Sequence, residues 1–122
     1  MKTLKIGEFE VSLPIIQGGM GVGVSLAGLA AAVASAGGIG VISCVGLAML
    51  ATGQADSYLD ANLQALRHEI RTAKGATAGV LGLNVMVALS DYETYVRAGI
   101  EEGIDIIFSG AGLPMQLPEC VP

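Results

Sequence analysis

The sequence predicts an α/β fold in which four parallel strands alternate with helices. Short apolar runs with strand character recur along the chain, at 14–18, 39–43, 80–89 and 104–112. Segments with helical spacing separate these runs, and this alternation is typical of a parallel sheet. No charged residue lies between Glu10 and Asp56. Such uninterrupted apolar sequence is expected where strands are covered on both faces.

The chain begins with a predicted hairpin and the first strand. Residues 4–11, LKIGEFEV, alternate in polarity around a possible turn at Gly7. Pro14 then opens the first strand, where its missing N–H costs little. The hairpin is therefore expected to precede the parallel sheet and to stand outside it.

A glycine-rich loop, a helix and the second strand follow. Ser25 is a suitable N-cap for a helix over 26–36. Gly37 is well placed to end this helix before strand 39–43. One apolar face is predicted at helical spacing, formed by Leu26, Leu29, Ala30 and Val33.

Two further helices are predicted. Residues 57–74 are amphipathic, and Gly75 is expected to end that helix. Its apolar face carries Leu59, Leu63, Leu66 and Ile70, and its polar face carries Asp60, Arg67, Arg71 and Lys74. Ser90 is expected to cap the third helix, over 90–103. Residues 45–56 are predicted as a loop with some helical content, and 113–122, with three prolines, as a connecting loop.

The net charge and the amino-acid composition argue against nucleic acid as a partner. Six basic residues stand against eleven acidic ones, which gives a net charge of −5, and no basic run is present. Nucleic acid would be repelled by this charge, and aromatic residues for base stacking make up only 4% of the chain. A small-molecule substrate is the expected partner.

A membrane segment is not expected, although the uncharged tract is long enough to span a bilayer. Gly37, Gly38 and Gly40 interrupt it, and many of its apolar residues are only alanine. Cys44 and Cys120 do not form a C-x-x-C pair, so two free thiols in a reducing cytoplasm are expected, with a pocket-lining role left open for Cys44. No metal site is predicted.

The glycine loop departs from both common nucleotide-binding patterns. In G-x-G-x-x-G, Gly19-Met20-Gly21 supplies the first half, but Val24 takes the place of the third glycine. No acidic residue follows strand 39–43 to bind a ribose. No Lys-Ser or Lys-Thr follows the glycines, as a P-loop requires.

A (β/α)8 barrel explains the small residues at the strand ends better, because its sites lie at the carboxyl ends of the strands. Candidate residues there are Gly18 to Gly23, Ser43, Cys44, Asn84, Ser109, Gly110 and Gly112. Small residues leave backbone amides open to a flat ring, and Asn84 offers both a donor and an acceptor. The alternatives are a satisfied core amide for Asn84 and ordinary turn geometry for the glycines.

Four stretches together resemble one enzyme family. They are PIIQGGMG at 14–21, AAAVASAGGIGVIS at 30–43, GLNVMV at 82–87 and IFSGAGLP at 107–114. In order and spacing they are similar to the nitronate monooxygenase family, formerly called 2-nitropropane dioxygenases. FMN-dependent enoyl-acyl-carrier-protein reductases belong to the same superfamily. The resemblance implies a TIM barrel with FMN as cofactor.

The resemblance also implies roles for particular residues. Gly19, Met20 and Gly21 would lie against the flavin ring, and Asn84 would hydrogen-bond to it. A second group, Ser109, Gly110 and Gly112, would border the substrate space.

Length sets a further expectation. A TIM barrel needs about 250 residues, so residues 1–122 are expected to form its N-terminal half, with about four βα units that end after strand four. The family's catalytic histidine and its phosphate-holding loops would lie beyond residue 122, so no catalytic residue is assigned here. His68 is expected to be solvated or structural, because it falls in the middle of a helix and away from any predicted strand end.

Three functions remain open. The main expectation is an FMN-dependent nitronate monooxygenase that oxidises alkyl nitronates with O2. The alternative is an FMN- and NAD(P)H-dependent enoyl-acyl-carrier-protein reductase. A second alternative is a half-barrel that binds no flavin, is inactive and forms a homodimer, because four strands leave exposed edges.

Overall fold

A computed structural model describes residues 1–122. The strands are β1 (Leu4–Ile6), β2 (Phe9–Val11), β3 (Gly40–Ser43), β4 (Leu81–Met86) and β5 (Ile106–Gly110). The helices are α1 (Ala27–Ser35), α2 (Tyr58–Ala76), α3 (Tyr92–Glu101) and α4 (Leu117–Cys120), with a 3₁₀ turn at Leu47–Leu50 after β3. No helix is both long enough and apolar enough to cross a bilayer.

The main sheet is parallel, in the order β3-β4-β5, so the predicted α/β class is confirmed. The predicted strand 14–18 lies beside β3, but it is reduced to one parallel bridge between Ile16 and Ile39. Backbone bonds tie Leu13 and Gln17 to this neighbour, from Leu13 N to Gly37 O (3.0 Å) and from Gln17 N to Ile39 O (3.1 Å). The chain then leaves the sheet, and this departure is why the strand is so short.

The hairpin β1–β2 covers one face of the sheet. Its strands pair antiparallel, and Gly7 takes a left-handed φ of +58° at the turn. Val11 is buried against Ile39 and Val41. The same cluster includes Val80 and Ile106 at the starts of their strands, so the hairpin closes the amino-terminal side of this face.

The helices cover the opposite face, where the larger core lies. Alternate strand residues point into it, among them Ile42, Leu81, Leu83 and Val85. The predicted face of α1 is wrong in part, because Leu29 is 44% exposed. Ala30 faces inward as predicted, and Ala27, Ala31 and Ala34 face inward with it. The Ala30 carbonyl occupies the space that a Gly40 side chain would take, so only small residues fit this contact.

Helix α2 starts as predicted, with Ser57 Oγ accepting from Asp60 N at 3.0 Å. Its expected end is wrong by two residues, because the helix does not stop at residue 74 but runs through Gly75 to Ala76, and Gly75 has open space around it. The polar face of α2 binds α3 through ion pairs. Arg71 contacts Glu102 at 2.7 Å, and this bond is the main reason that the pKa of Glu102 lies below its ordinary value.

Two further expectations need correction near the end of the chain. Ser90 does not cap α3; the N-cap position is Asp91, without a side-chain bond. Residues 113–122 are not all loop, because α4 forms a single turn that buries Cys120.

Candidate functional site

The loops that follow the parallel strands meet at one end of the sheet. The glycine loop, residues 18–24, follows the first strand and lies over β4. A side chain at Gly19 would be 2.6 Å from Asn84 Cβ, so the two residues are in direct contact. Asn84 pairs with Ser43 on one side and Phe108 on the other, and Met86 pairs with Gly110. Gly19, Asn84 and Gly110 thus share one rim.

Two of the loop glycines are required by contacts within the protein. Gly19 has no room for a side chain because Asn84 lies against it, and a Gly21 side chain would be 2.8 Å from Val45 Cβ. Gly18 has nothing within 4 Å of its side-chain position. The loop is therefore pressed onto β4 and onto the segment after β3 at two points, while Gly18 borders open space.

The backbone of Val22, which follows Gly21 in the loop, is strained. Val22 has a φ of +54°, a left-handed conformation that is rare for a β-branched residue. Its N–H donates to Val45 O at 2.9 Å, which fixes the conformation. Strain of this kind costs about 1–3 kcal/mol and often occurs at binding sites.

The rim presents free hydrogen-bonding groups. The backbone N–H groups of Gly18, Gly19, Gly21 and Gly23 donate to no acceptor within the protein. The Asn84 side chain is half-buried, and its one bond is a long one from Nδ2 to Phe108 O, at 3.4 Å. Several donors and one amide oxygen are thus open to a polar, flat ligand.

The sequence of this chain matches one protein family. A family model for nitronate monooxygenase matches residues 2–105. The chain belongs to the nitronate monooxygenase family.

Two solved structures of FabK are similar to this chain in sequence and in fold. FabK from Thermotoga maritima is 27% identical, with a TM-score of 0.66, over 89% of this chain and 32% of that chain. A mutant of the same FabK is also 27% identical, with a TM-score of 0.67, over 90% of this chain and 34% of that chain. This chain therefore spans about a third of their length. The expected partial TIM barrel is confirmed by this likeness. A comparison with curated proteins found no match.

Not all expected site residues present their side chains to this rim. Met20 is there and is 62% exposed. Ser109 Oγ instead bonds to Tyr92 Oη at 2.6 Å, on the helix side of β5. Gly110 borders open space, and Gly112 has a φ of +145° beside Val87. In this member of the nitronate monooxygenase family, Ser109 can therefore offer the rim only its backbone.

The two remaining candidates for chemistry lie elsewhere. Cys44 is buried on the helix side of β3, and burial raises the pKa of its thiol to about 11. It is therefore protonated at neutral pH and is a poor nucleophile. His68 is exposed on α2 and lines a cleft of about 400 Å³ that no glycine-loop residue lines. No cluster of three or more His, Cys, Asp or Glu side chains is arranged to hold a metal ion.

Three residues in or near the rim have roles that the sequence did not indicate. Ser25 hydrogen-bonds to the glycine loop and to β3, and Gln17 hydrogen-bonds to Ser25 and to β3. Ser25 therefore does not act as the predicted helix cap. Glu69 of α2 supplies that bond instead, since its Oε2 accepts from Ala27 N at 2.8 Å. A lone polar residue within the apolar strand 14–18 is a signal that could have revealed Gln17. Nothing in the sequence links Glu69 to a residue 42 positions away.

Proposed function

We propose that this chain forms part of an FMN-dependent oxidoreductase of the nitronate monooxygenase type, which oxidises alkyl nitronates with O2. Membership of the family supports the proposal. The structural observation that carries it is the contact of Gly19 with Asn84, beside unpaired backbone N–H groups at the carboxyl end of the sheet. TIM-barrel enzymes place their active sites at this end.

The residues at the rim fit a flavin ring. The pyrimidine ring of isoalloxazine carries two carbonyl oxygens and one ring nitrogen that accept hydrogen bonds, and one N–H that donates. Gly18 and Gly19 offer N–H donors, and the Asn84 amide offers both functions. We assign Gly19, Met20, Gly21 and Asn84 to flavin binding, and the segment Ser109–Gly112 to the border of the substrate space.

The residues in this part of the site bind the flavin ring and orient it. FMN supplies the redox chemistry when it is bound. The loop itself carries no titratable side chain, since residues 18–25 are glycine, methionine, valine and serine. Proton transfer is therefore not a task of these residues. Their contribution is to fix the plane of a ring and to exclude water with the apolar side chains of Met20 and Val22.

The Asn84→Ala variant tests the flavin assignment. Protein expressed from its complete gene is titrated with FMN, and binding is followed by quenching of flavin fluorescence. We expect the variant to bind about ten-fold more weakly, which corresponds to the loss of one hydrogen bond in a site shielded from water. Unchanged affinity together with lower stability towards urea would instead make Asn84 a core residue.

An enoyl-acyl-carrier-protein reductase is the second candidate, and the similarity to FabK favours it. The same rim residues would be used in both reactions, so the two candidate functions have to be distinguished by the substrates that the protein turns over. We expect oxygen uptake with propionate 3-nitronate and no NADH oxidation with a crotonyl thioester. NADH oxidation with the thioester and no oxygen uptake with the nitronate would reverse the assignment.

A flavin-free homodimer is the remaining candidate, and the open edge of β5 favours it. All five residues of β5 are only partly buried, and an apolar cleft of about 630 Å³ separates the hairpin from this edge. Two copies of a four-strand unit would together supply the eight strands of a barrel. A colourless dimer in light scattering, with no absorbance change on addition of FMN, would support it.

A further inference from the structure

The main chain leaves the sheet at Gln17, and the Gln17 side chain continues the pairing. The last backbone bond of the first strand runs from Gln17 N to Ile39 O at 3.1 Å. One step further along β3, Gln17 Oε1 accepts from Val41 N at 3.1 Å, and Gln17 Nε2 donates to Val41 O at 3.0 Å. The carboxamide thus takes the place of a strand residue, while the backbone is released into the glycine loop.

Ser25 closes the other end of that loop. It is 1% exposed, and its hydroxyl accepts from Met20 N at 2.9 Å and from Gln17 Nε2 at 3.2 Å, and donates to Gly18 O at 3.2 Å. Its own N–H donates to Met20 O at 2.9 Å, and its carbonyl accepts from Ser43 N at 3.0 Å. One buried residue therefore connects both ends of the loop to β3.

The bonds of Gln17 and Ser25 restrain a loop whose own sequence gives it little conformational order. Four glycines in seven residues have little conformational preference of their own, so the loop pays a large entropic cost when it is ordered. The N–H groups of Gly18 and Gly19 make no bond that could hold them. Within the loop, Ser25 bonds only to Gly18 O, Met20 N and Met20 O, and Gln17 holds Ser25 without bonding to the loop itself. Those N–H groups are therefore left available.

We propose that Gln17 and Ser25 are positioning residues that hold the glycine loop in the conformation in which its free N–H groups and Asn84 face one ligand. The part of the proposal that concerns FMN rests on the proposed function. Neither residue needs to touch the ligand, because Ser25 acts through the backbone of residues 18–20 and Gln17 acts through Ser25. Pre-ordering of a binding loop raises affinity because less freedom is lost on binding.

The test uses Ser25→Ala and Gln17→Met, with Ser12→Ala as the matched control. Ser12 is exposed, and its hydroxyl reaches only Gly37 O, at 3.5 Å. Hydrogen exchange of the Met20 amide is measured by NMR on protein without ligand, and FMN affinity is measured by fluorescence quenching. We expect Ser25→Ala and Gln17→Met to accelerate Met20 exchange and to weaken FMN binding by about ten-fold each, and Ser12→Ala to change neither.

Further variants separate positioning from general loss of stability. Ser25→Thr keeps the hydroxyl and should restore slow exchange at Met20, even where its extra methyl group lowers stability. Unchanged Met20 exchange in both Ser25→Ala and Gln17→Met would overturn the proposal, whatever the FMN affinity. A wild-type protein that fails to bind FMN would overturn the proposed function and the flavin part of this inference. In that case the exchange data from ligand-free protein would still decide whether Gln17 and Ser25 order the loop.

Discussion

The first strand with its glycine loop and the central strands β3–β5 are held by different forces. The central strands are joined by regular parallel pairing, and they bury Ile42, Leu83 and Val85 completely under the helices. The first strand has one bridge, and Ile15 and Ile16 remain 52% and 44% exposed. Its position depends instead on backbone bonds to Gly37 and Ile39, and on the side chains of Gln17 and Ser25.

This difference separates stability from binding. Burial of apolar side chains contributes the largest part of the stabilisation of a domain, so the central strands carry the fold. A loop held by a few polar bonds contributes less to stability but sets the positions of the groups that meet a ligand. Substitutions in the two regions should therefore differ in what they damage.

The largest effect is expected in the central region, from Gly40→Ala. The new methyl group would collide with the Ala30 backbone, which cannot move without shifting α1. Overpacking of this kind costs about 3 kcal/mol, and urea unfolding measures it. Gly75→Ala is the control, because Gly75 is helical and has nothing within 4 Å, so it should gain about 0.5–1 kcal/mol. Equal stabilities for the two variants would contradict the close packing of α1 on β3.

Gly19→Ala should give the next largest effect, and this one falls on the loop. The methyl group would lie 2.6 Å from Asn84 Cβ, so the loop must lift away from β4. We expect a loss of about 1–2 kcal/mol together with most of the FMN affinity. Gly18→Ala should leave stability unchanged, since Gly18 has open space around it. If Gly19→Ala bound FMN normally, the contact with Asn84 would be irrelevant to the ligand.

The comparison also explains which features could be predicted from the sequence. The alternation of apolar runs and helices gave the central strands, because pairing and burial follow directly from periodicity. The inward face of α1 could not be predicted, since nearly every residue of that helix is apolar or small and the choice depends on close contact with Gly40. Ser25 stands where a helix cap is expected, and only the tertiary structure shows that its hydroxyl serves the preceding loop instead.

The sequence indicated which residues lie at the candidate site, but it did not indicate how their side chains are arranged. Asn84 stood out as a lone polar residue in a strand, and the structure places it beside Gly19. Gln17 carries the same signal, but its role depends on where the main chain leaves β3, which no local pattern states. Ser109 was assigned to the rim by its position at the end of β5. Its parity in the strand directs its side chain to Tyr92 instead.

A smaller effect, of opposite sign, is expected from Val22→Asn. Asparagine tolerates a left-handed backbone far better than valine does, so the strain at φ +54° should fall. We expect a gain of about 1 kcal/mol in the free energy of unfolding. Val24→Asn is the control, since Val24 is exposed in the same loop without a positive φ, and it should give no gain. A gain in both variants would point to a general benefit from removal of exposed apolar surface.

The smallest effect should come from Glu102→Gln, which weakens the ion pairs between the end of α3 and α2 and leaves both the sheet and the loop intact. Hydrogen bonds from Arg71 and Arg67 lower the pKa of Glu102 in the folded protein. A lowered pKa means that the stabilisation is complete above the unfolded value of about 4.3 and is lost as the pH falls through the folded value.

Glu102→Gln should therefore be less stable than wild type at pH 7, and the difference in stability should vanish near pH 3. Added salt should reduce it at pH 7, because the Arg71 side chain is 68% exposed and its charge is screened, although the Glu102 side chain is only 10% exposed. Glu8→Gln, at an exposed residue of the hairpin without an ion-pair partner, should leave the stability at pH 7 unchanged. FMN affinity should be unchanged in both variants, because neither side chain hydrogen-bonds to the glycine loop or to Asn84. A loss of affinity in Glu102→Gln would show that the helix layer and the loop are coupled.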